Sequence, residues 1–322
     1  MTDEPQALPA RRDALSWIGF AVAVGGVLVS AWAMATAWEA IVHGNPAYAI
    51  LLAATLVLSI AGIWWTLRRR VHRGGWRTAG RIVLVVLAAG WLALTAWLRP
   101  YDAVEPALAA MQSDAAVTVS ETATEIVLQP RSDASSVGVM FQPGALVDAR
   151  AYAAVLRPLA EDGHTVVIAK QPFGIAFFAI GALDSARDQH PEIDRWVVGG
   201  HSLGGTVAAM EATADAADGT APVAGLMLYA SYPANDISST LDAAVESISG
   251  TRDGLATPEK IDASRDDLPA DTEYTVIEGA SHAQFGDYGP QPGDNTPTIS
   301  HDDARTQIST ASRDFVDRLT TE

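Results

Sequence analysis

Three uninterrupted apolar stretches, Leu15–Trp38, Ala47–Leu67 and Ile82–Leu98, occupy most of the first hundred residues, and none contains Asp, Glu, Lys, Arg or His. A hydrocarbon core about 30 Å thick takes roughly 20 residues of helix to cross. Inside it every backbone N–H and C=O must be paired within the segment, so helix is the form open to such runs. The chain is therefore expected to carry about three transmembrane helices, over 15–38, 47–67 and 82–98, as an anchor spanning residues 1–99. Trp17, Trp38, Trp64, Trp65, Trp76 and Trp97 fall near the run ends, where indole rings favour the membrane–water interface.

Charge separates this region from the rest. Residues 1–99 hold nine Arg, no Lys and four acids, a net of +5; residues 100–322 hold twelve basic and 34 acidic residues, a net of −22. Arg11 and Arg12 precede the first run, and Arg68, Arg69, Arg70, Arg73, Arg77 and Arg81 lie between the second and third, while Glu39–Pro46 has no Lys or Arg. The positive-inside bias puts the N-terminus and the Arg-rich loop in the cytoplasm. Three crossings then leave everything after Arg99 outside the cell membrane. The alternative for the first run is a signal peptide, with Arg11 and Arg12 ahead of it and Ala33-Met34-Ala35 as a small-x-small end; its length exceeds a usual signal core. Without an ionisable group inside the runs, a transport or proton-relay role has no support.

Composition excludes several function classes. The acidic C-terminal region repels phosphate, so no nucleic-acid partner is expected. With no Cys, a disulfide framework, a thiol nucleophile and Cys-ligated zinc are all ruled out. The seven His are dispersed without H-x-H or H-E-x-x-H spacing, and no phosphate-cradling or dinucleotide fingerprint occurs; no metal and no cofactor are expected.

Residues 100–115, Ala-rich with helical spacing over Tyr101–Ser113, read as a linker. From residue 116 onward the pattern alternates. Strands are expected at Val117–Ser120, Glu125–Gln129, Val137–Phe141, Thr165–Ala169, Arg195–Gly199, Val223–Ala230, Ala243–Ile248 and Tyr274–Ile277. Helices are expected at Ala149–Asp162, Ile175–Asp188, Leu203–Asp215 and Asp302–Leu319. Short apolar strands separated by helices predict an α/β domain over 116–322, with a mainly parallel sheet covered on both faces. Gly286–Pro297, rich in Gly, Pro and Asp, reads as a loop.

Gly200-His201-Ser202-Leu203-Gly204 fits G-x-S-x-G between an expected strand and an expected helix. That context suits a nucleophile: a sharp strand-to-helix turn exposes the hydroxyl at the free N–H groups of a helix start. A serine nucleophile needs a base, and the base an orienting acid. His282, just after the last strand, is the expected base; His301 begins the final helix. Asp253, on the loop after the Ala243–Ile248 strand, is the expected acid, ahead of Asp236 and Asp242, which precede that strand, and of Asp287, which follows His282. The oxyanion formed on attack needs N–H donors. Leu203 is one; Ala145 in the loop after the third strand is the other, with Gly144 the next choice. Phe173, Ile175, Phe177, Phe178 and Tyr232 are candidate walls of a substrate pocket. The connection from Ser231 to Asp242 is too short for a lid domain.

Residues 137–319 resemble the α/β-hydrolase superfamily, and in particular its small bacterial dienelactone-hydrolase-like branch. The carrying segments are Phe141–Asp148, Gly200–Gly205, Gly250–Thr257 and Gly279–Phe285. The resemblance implies an eight-stranded type of sheet and a Ser202–His282–Asp253 triad. It departs from dienelactone hydrolases proper in having Ser202 where they use Cys, which favours an ordinary ester or thioester. The expected activity is that of a membrane-anchored serine hydrolase acting on small-molecule esters. An acyltransferase or thioesterase with the same triad, or a non-catalytic binding module on a hydrolase scaffold, are the alternatives.

Overall fold

The computed structural model describes residues 13–68, 75–132, 134–218 and 223–320. Arg11, Arg12, Arg69, Arg70 and Arg73, part of the charge pattern, lie outside the described residues. Two compact units emerge: the chain up to Trp38 together with Ala47–Arg99, and Glu39–Pro46 together with Pro100 onward.

The first unit contains three helices long and apolar enough to cross a membrane: α1 (Ala14–Thr36), α3 (Pro46–Arg68) and α4 (Gly75–Trp97); the short α2 (Trp38–His43), between the first two in sequence, belongs from Glu39 onward to the second unit. Helix α4 starts seven residues before the apolar run, because Arg77 and Arg81 are good helix formers that end an apolar stretch without ending a helix. Polar side chains inside the runs bond to other helices of the unit. The Tyr48 hydroxyl donates to the Thr95 carbonyl at 3.0 Å and the Trp91 indole N–H to the Thr55 hydroxyl at 2.8 Å. Small residues permit close approach; a Cβ on Gly26 would come within 2.0 Å of Ser59 Oγ.

The second unit is built on one eight-stranded sheet. Its strands are β1 (Val117–Glu121), β2 (Glu125–Pro130), β3 (Val137–Gln142), β4 (Val166–Ala169), β5 (Arg195–His201), β6 (Gly225–Tyr229), β7 (Ala244–Gly250) and β8 (Glu273–Ile277), in the order β1-β2-β4-β3-β5-β6-β7-β8. β1 and β2 pair antiparallel, β2 joins β4 antiparallel, and the other pairings are parallel. Helices α5 (Ala107–Ala110), α6 (Ala153–Glu161), α7 (Ala182–Gln189), α8 (Leu203–Asp218), α9 (Pro258–Ala263) and α10 (His301–Thr320) surround it. Alternation along the strands feeds two cores. Val139, Phe141, Val166 and Ile168 join Leu156 and Phe315 of α6 and α10 on one face; Met140, Val167 and Val198 join Leu183 and Ala209 of α7 and α8 on the other. Both faces are thus apolar, as a parallel sheet buried on two sides requires.

Some expected elements are shorter or broken. The helix expected at Ala149–Asp162 begins as a 3₁₀ turn over Ala149–Tyr152, capped by the Asp148 side chain, before α6 takes over. The helix expected at Ile175–Asp188 is 3₁₀ turns at Pro172–Gly174 and Ala176–Ala179, then α7. Gly181, at φ +94°, separates them, a left-handed geometry that suits glycine and ends helical periodicity. Between Tyr101 and Ser113 only Ala107–Ala110 is helical. Tyr101 pairs instead with the loop after β3: its N–H donates to the Leu146 carbonyl at 2.8 Å, and its carbonyl accepts from Asp148 N–H at 3.0 Å. Helix α9 is an addition to the elements expected from the sequence.

Candidate active site

Ser202 sits between β5 and α8 with φ +52°, left-handed for a residue that is not glycine. Such a conformation costs of order 1–3 kcal/mol and persists only where its surroundings enforce it. Here Ser202 N–H donates to the Tyr229 carbonyl at 2.9 Å, while its own carbonyl accepts from the Ser231 hydroxyl at 2.6 Å and from Gly205 N–H at 3.0 Å. The flanking glycines are steric necessities: a Cβ on Gly204 would lie 2.0 Å from the Gln142 carbonyl oxygen, and one on Gly200 2.4 Å from the Gly204 backbone. The turn lifts the serine out of the sheet at the start of a 16-residue helix, where free N–H groups and the helix dipole favour negative charge.

His282 and Asp253 come from the loops after β8 and β7. Their side chains are buried, with His282 Nδ1 2.8 Å from Asp253 Oδ2. The other carboxylate oxygen of Asp253 accepts from Leu255 and Ala256 N–H, each at 2.8 Å. With both oxygens engaged, the carboxylate holds the Nδ1–H tautomer and leaves the Nε2 lone pair available. Nε2 is buried and has no hydrogen-bond partner among the described residues. Two of the other acids considered from the sequence, Asp236 and Asp287, are committed elsewhere. Asp236 accepts from Ser238. Asp287 accepts from Arg305 at 2.9 Å and lies 3.0 Å from His301.

Among the described residues, neither Leu203 N–H nor Ala145 N–H has a backbone or side-chain acceptor, whereas Gly144 N–H donates to the Tyr152 hydroxyl at 2.9 Å. Of the two residues considered in that loop, Ala145 is thus the one with a donor to spare. The loop is fixed on both sides. Leu146, at φ +63°, donates to the Gly174 carbonyl at 2.7 Å, and Tyr101 clasps it from the other side.

Three residues tie these parts together and carry no signal in sequence spacing. The Tyr152 hydroxyl, having accepted from Gly144, lies 2.8 Å from His201 Nδ1, so its proton goes to that nitrogen. His201 is buried, its ring 4.5 Å from that of His282 and stacked 5.9 Å from Phe285. Burial, reinforced by the neighbouring His282, pushes its pKa well below the usual histidine range, so it is neutral at pH 7. Asp294 lies in the loop read from the sequence only as irregular. Its Oδ1 accepts from Gly254 N–H at 3.0 Å and His282 N–H at 3.2 Å, and its Oδ2 from Ala283 N–H at 2.9 Å. One carboxylate thereby joins the Asp253 loop to the His282 loop. Burial alone would raise the Asp294 carboxyl; the N–H groups of Ala283 and Gly254, the Ser281 hydroxyl and His282 N–H outweigh it and hold it below the usual range.

The expected pocket residues are distributed differently. Phe173, at φ +57°, adjoins Gly174 and so abuts the Ala145 loop; its ring lies 6.0 Å from that of Phe178. Phe177 and Phe178 are 47% and 64% exposed. Tyr232 is half-buried, and its carbonyl accepts from Thr206 in the first turn of α8. Among the described residues no group of three or more His, Asp or Glu gathers as a metal site. Chemically, the assembly offers a hydroxyl on a strained turn, an imidazole whose tautomer is fixed by a buried acid, and two N–H donors near the turn. These are the parts required for acyl transfer through a covalent serine intermediate.

Among solved structures, an esterase from Pseudomonas putida is similar over 66% of this chain and 87% of its own, at 15% identity and TM-score 0.47. A protein from Klebsiella pneumoniae assigned as a dienelactone hydrolase is similar over 64% and 100%, at 11% and 0.48. A serine hydrolase without a lid from Xanthomonas campestris is similar over 63% and 96%, at 17% and 0.43. No curated protein matches. Residues 138–306, more than half of the chain, match the sequence profile of the alpha/beta hydrolase family, and with the eight-stranded sheet and the serine turn after β5 already in place, the chain belongs to that family.

Proposed function

We propose that the protein is a membrane-anchored serine hydrolase of carboxylic esters, with Ser202 as nucleophile, His282 as base and Asp253 as orienting acid. One observation carries the reading: the 2.8 Å bond from His282 Nδ1 to the buried Asp253 leaves His282 Nε2 unpartnered among the described residues, and His201, whose ring lies 4.5 Å from that of His282, is the residue just before the left-handed Ser202. In the first step Ser202 Oγ attacks the ester carbonyl carbon as its proton passes to His282 Nε2. The oxyanion is held by Leu203 and Ala145 N–H. Collapse expels the alcohol, which takes the proton from His282, and leaves an acyl-serine. Water then attacks the acyl carbon, giving its proton to His282, and the carboxylic acid departs as Ser202 recovers its own. Asp253 stays ionised throughout and stabilises the imidazolium.

The anchor is assigned to the first unit and the hydrolase to the second, with the catalytic unit outside the cell membrane. Membership of Glu39–Pro46 in the same compact unit as residues 100–322 supports both segments lying on one side of the membrane, and the arginine bias makes that side the outer one. Two crossings, α3 and α4, separate those segments in sequence and return the chain to the side it left. Hydrolysis of p-nitrophenyl esters of graded acyl length by the full chain, beside Ser202→Ala, tests the chemistry; turnover retained in the variant refutes it. Protease added to intact cells should remove the acidic domain, and its survival would reverse the topology.

A further inference from the structure

The large apolar side chains that the catalytic unit leaves exposed are unevenly placed. Val42 and Val104 lie on the chain segments leading to and from the apolar runs, Phe177, Phe178 and Ile180 lie on the turn that shares a groove with the first of those segments, and Met210 and Val276 lie elsewhere. Asn45 and Lys170 supply the link. Asn45 belongs to the catalytic unit, and its side chain donates to the Lys170 carbonyl at 3.0 Å. Asn45, Lys170, Phe178 and Ile180 line one groove of about 280 Å³. Around it, Glu121 accepts from Lys170 at 2.7 Å and contacts His43 at 3.2 Å, while Arg150 faces Glu39 at 3.6 Å. The segment 39–46 is thus held to the catalytic unit by a set of polar contacts.

Chain connectivity fixes where that segment lies. Asn45 is one residue before Pro46, the first residue of α3, and consecutive Cα atoms are ~3.8 Å apart. The second lead is equally short: Tyr101, four residues after the end of α4, pairs with Val147 in the loop that carries Ala145. The headgroup layer is roughly 5–8 Å deep on each side of the hydrocarbon. The Phe177–Ile180 turn and the Ala145 loop are therefore each in contact with a segment that lies, along the chain, within a few residues of a candidate membrane helix.

We propose that the Phe177–Ile180 turn seats in the headgroup layer of the bilayer that the chain's own helices cross, and that the active site draws its ester from that layer: the acyl ester of an amphiphilic lipid. The inference rests on the membrane-anchored hydrolase reading and adds its substrate class. The net charge of −22 on residues 100–322 gives no attraction to anionic lipid, so seating is by apolar insertion, as an exposed pair of Phe rings and an Ile suits.

The absence of Cys gives a clean test. Phe178→Cys and, as a control on β8, Val276→Cys are each labelled with an environment-sensitive fluorophore in the full chain, in phosphatidylcholine nanodiscs containing spin-labelled lipid. Strong quenching at 178 and little at 276 is expected. Equal quenching overturns the proposal, as does a blue-shifted probe at 178 that lipid-borne label does not quench, which would mean a second protein surface covers the turn. For the substrate, Ile180→Asp should lower the rate on a diacylglycerol in the disc, relative to dissolved p-nitrophenyl acetate, by about tenfold; an unchanged ratio contradicts the lipid-ester assignment. If the wild-type chain turns over neither ester while quenching at 178 persists, the hydrolase reading fails and the seating stands.

Discussion

Replacing Tyr152 by Phe removes one oxygen and little volume, so its cost reads a single hydrogen-bonding node. In the native fold that oxygen accepts from Gly144 N–H at 2.9 Å and faces His201 Nδ1 at 2.8 Å. The Tyr152 and His201 side chains are within 1% of full burial, so water cannot replace the lost partner. Each buried group left unsatisfied costs about 1–3 kcal/mol, and two of them about 2–6 kcal/mol. For a domain of this size roughly 2–4 °C of melting temperature goes with each kcal/mol, so Tyr152→Phe should melt about 4–24 °C below the wild type in near-UV circular dichroism of the detergent-solubilised full chain. The same change frees Gly144 N–H and the loop carrying Ala145, so kcat should fall while KM for a small ester changes little. A variant that melts within 2 °C of wild type with unaltered kcat would refute the claim that this hydroxyl holds the oxyanion loop to the nucleophile turn.

Asp253→Asn should fold, because the amide can still accept from Leu255 and Ala256, but it presents His282 with the wrong tautomer; kcat should drop by about 10⁴-fold, and a loss under tenfold contradicts the acid assignment. Asp294→Asn weakens the staple between the Asp253 and His282 loops, and a small misplacement of His282 should lower kcat by up to about 100-fold, measured against an unaltered KM. Because the Asp294 carboxyl is held below the usual range, its stabilisation is present above the unfolded carboxylate pKa near ~3.9 and lost as pH falls through its own lower value. Melting temperature followed from pH 7 to 3 should therefore show a steeper acid decline in the wild type than in Asp294→Asn. For His201 the depressed pKa means that the unfolded chain takes up a proton below about pH 6.5 that the folded chain refuses. Stability should then fall by up to ~1.4 kcal/mol per pH unit on acidification below that point, and His201→Gln should flatten the slope in urea unfolding between pH 6.5 and 5.

The sheet was legible because apolar runs of four to seven residues, punctuated by Gly, Pro and Asp, are a strong local signal; the strand positions expected from the sequence agree with β1–β8 to within about two residues at each end. The Ser202 turn was legible for the same reason, since Gly200 and Gly204 are demanded by contacts with Gly204's own backbone and the Gln142 carbonyl. Long-range contacts were not. Tyr152 sits at the end of what reads as an ordinary amphipathic helix, and only the fold brings it to Gly144 and His201, 8 and 49 residues away. Asp294 hides in a loop of turn-forming residues, where an acid has no periodicity to betray it. The 175–188 stretch misleads because its apolar spacing is helical, while Phe173, Gly174 and Gly181 adopt left-handed backbone that periodicity does not record.

The nucleophile is tested most directly by treating the purified full chain with a fluorophosphonate and locating the adduct by peptide mass spectrometry. The account predicts one adduct per chain, on Ser202, abolished in Ser202→Ala and slowed by orders of magnitude in His282→Ala. An adduct on another residue, or none on a chain whose circular dichroism shows it folded, would contradict it.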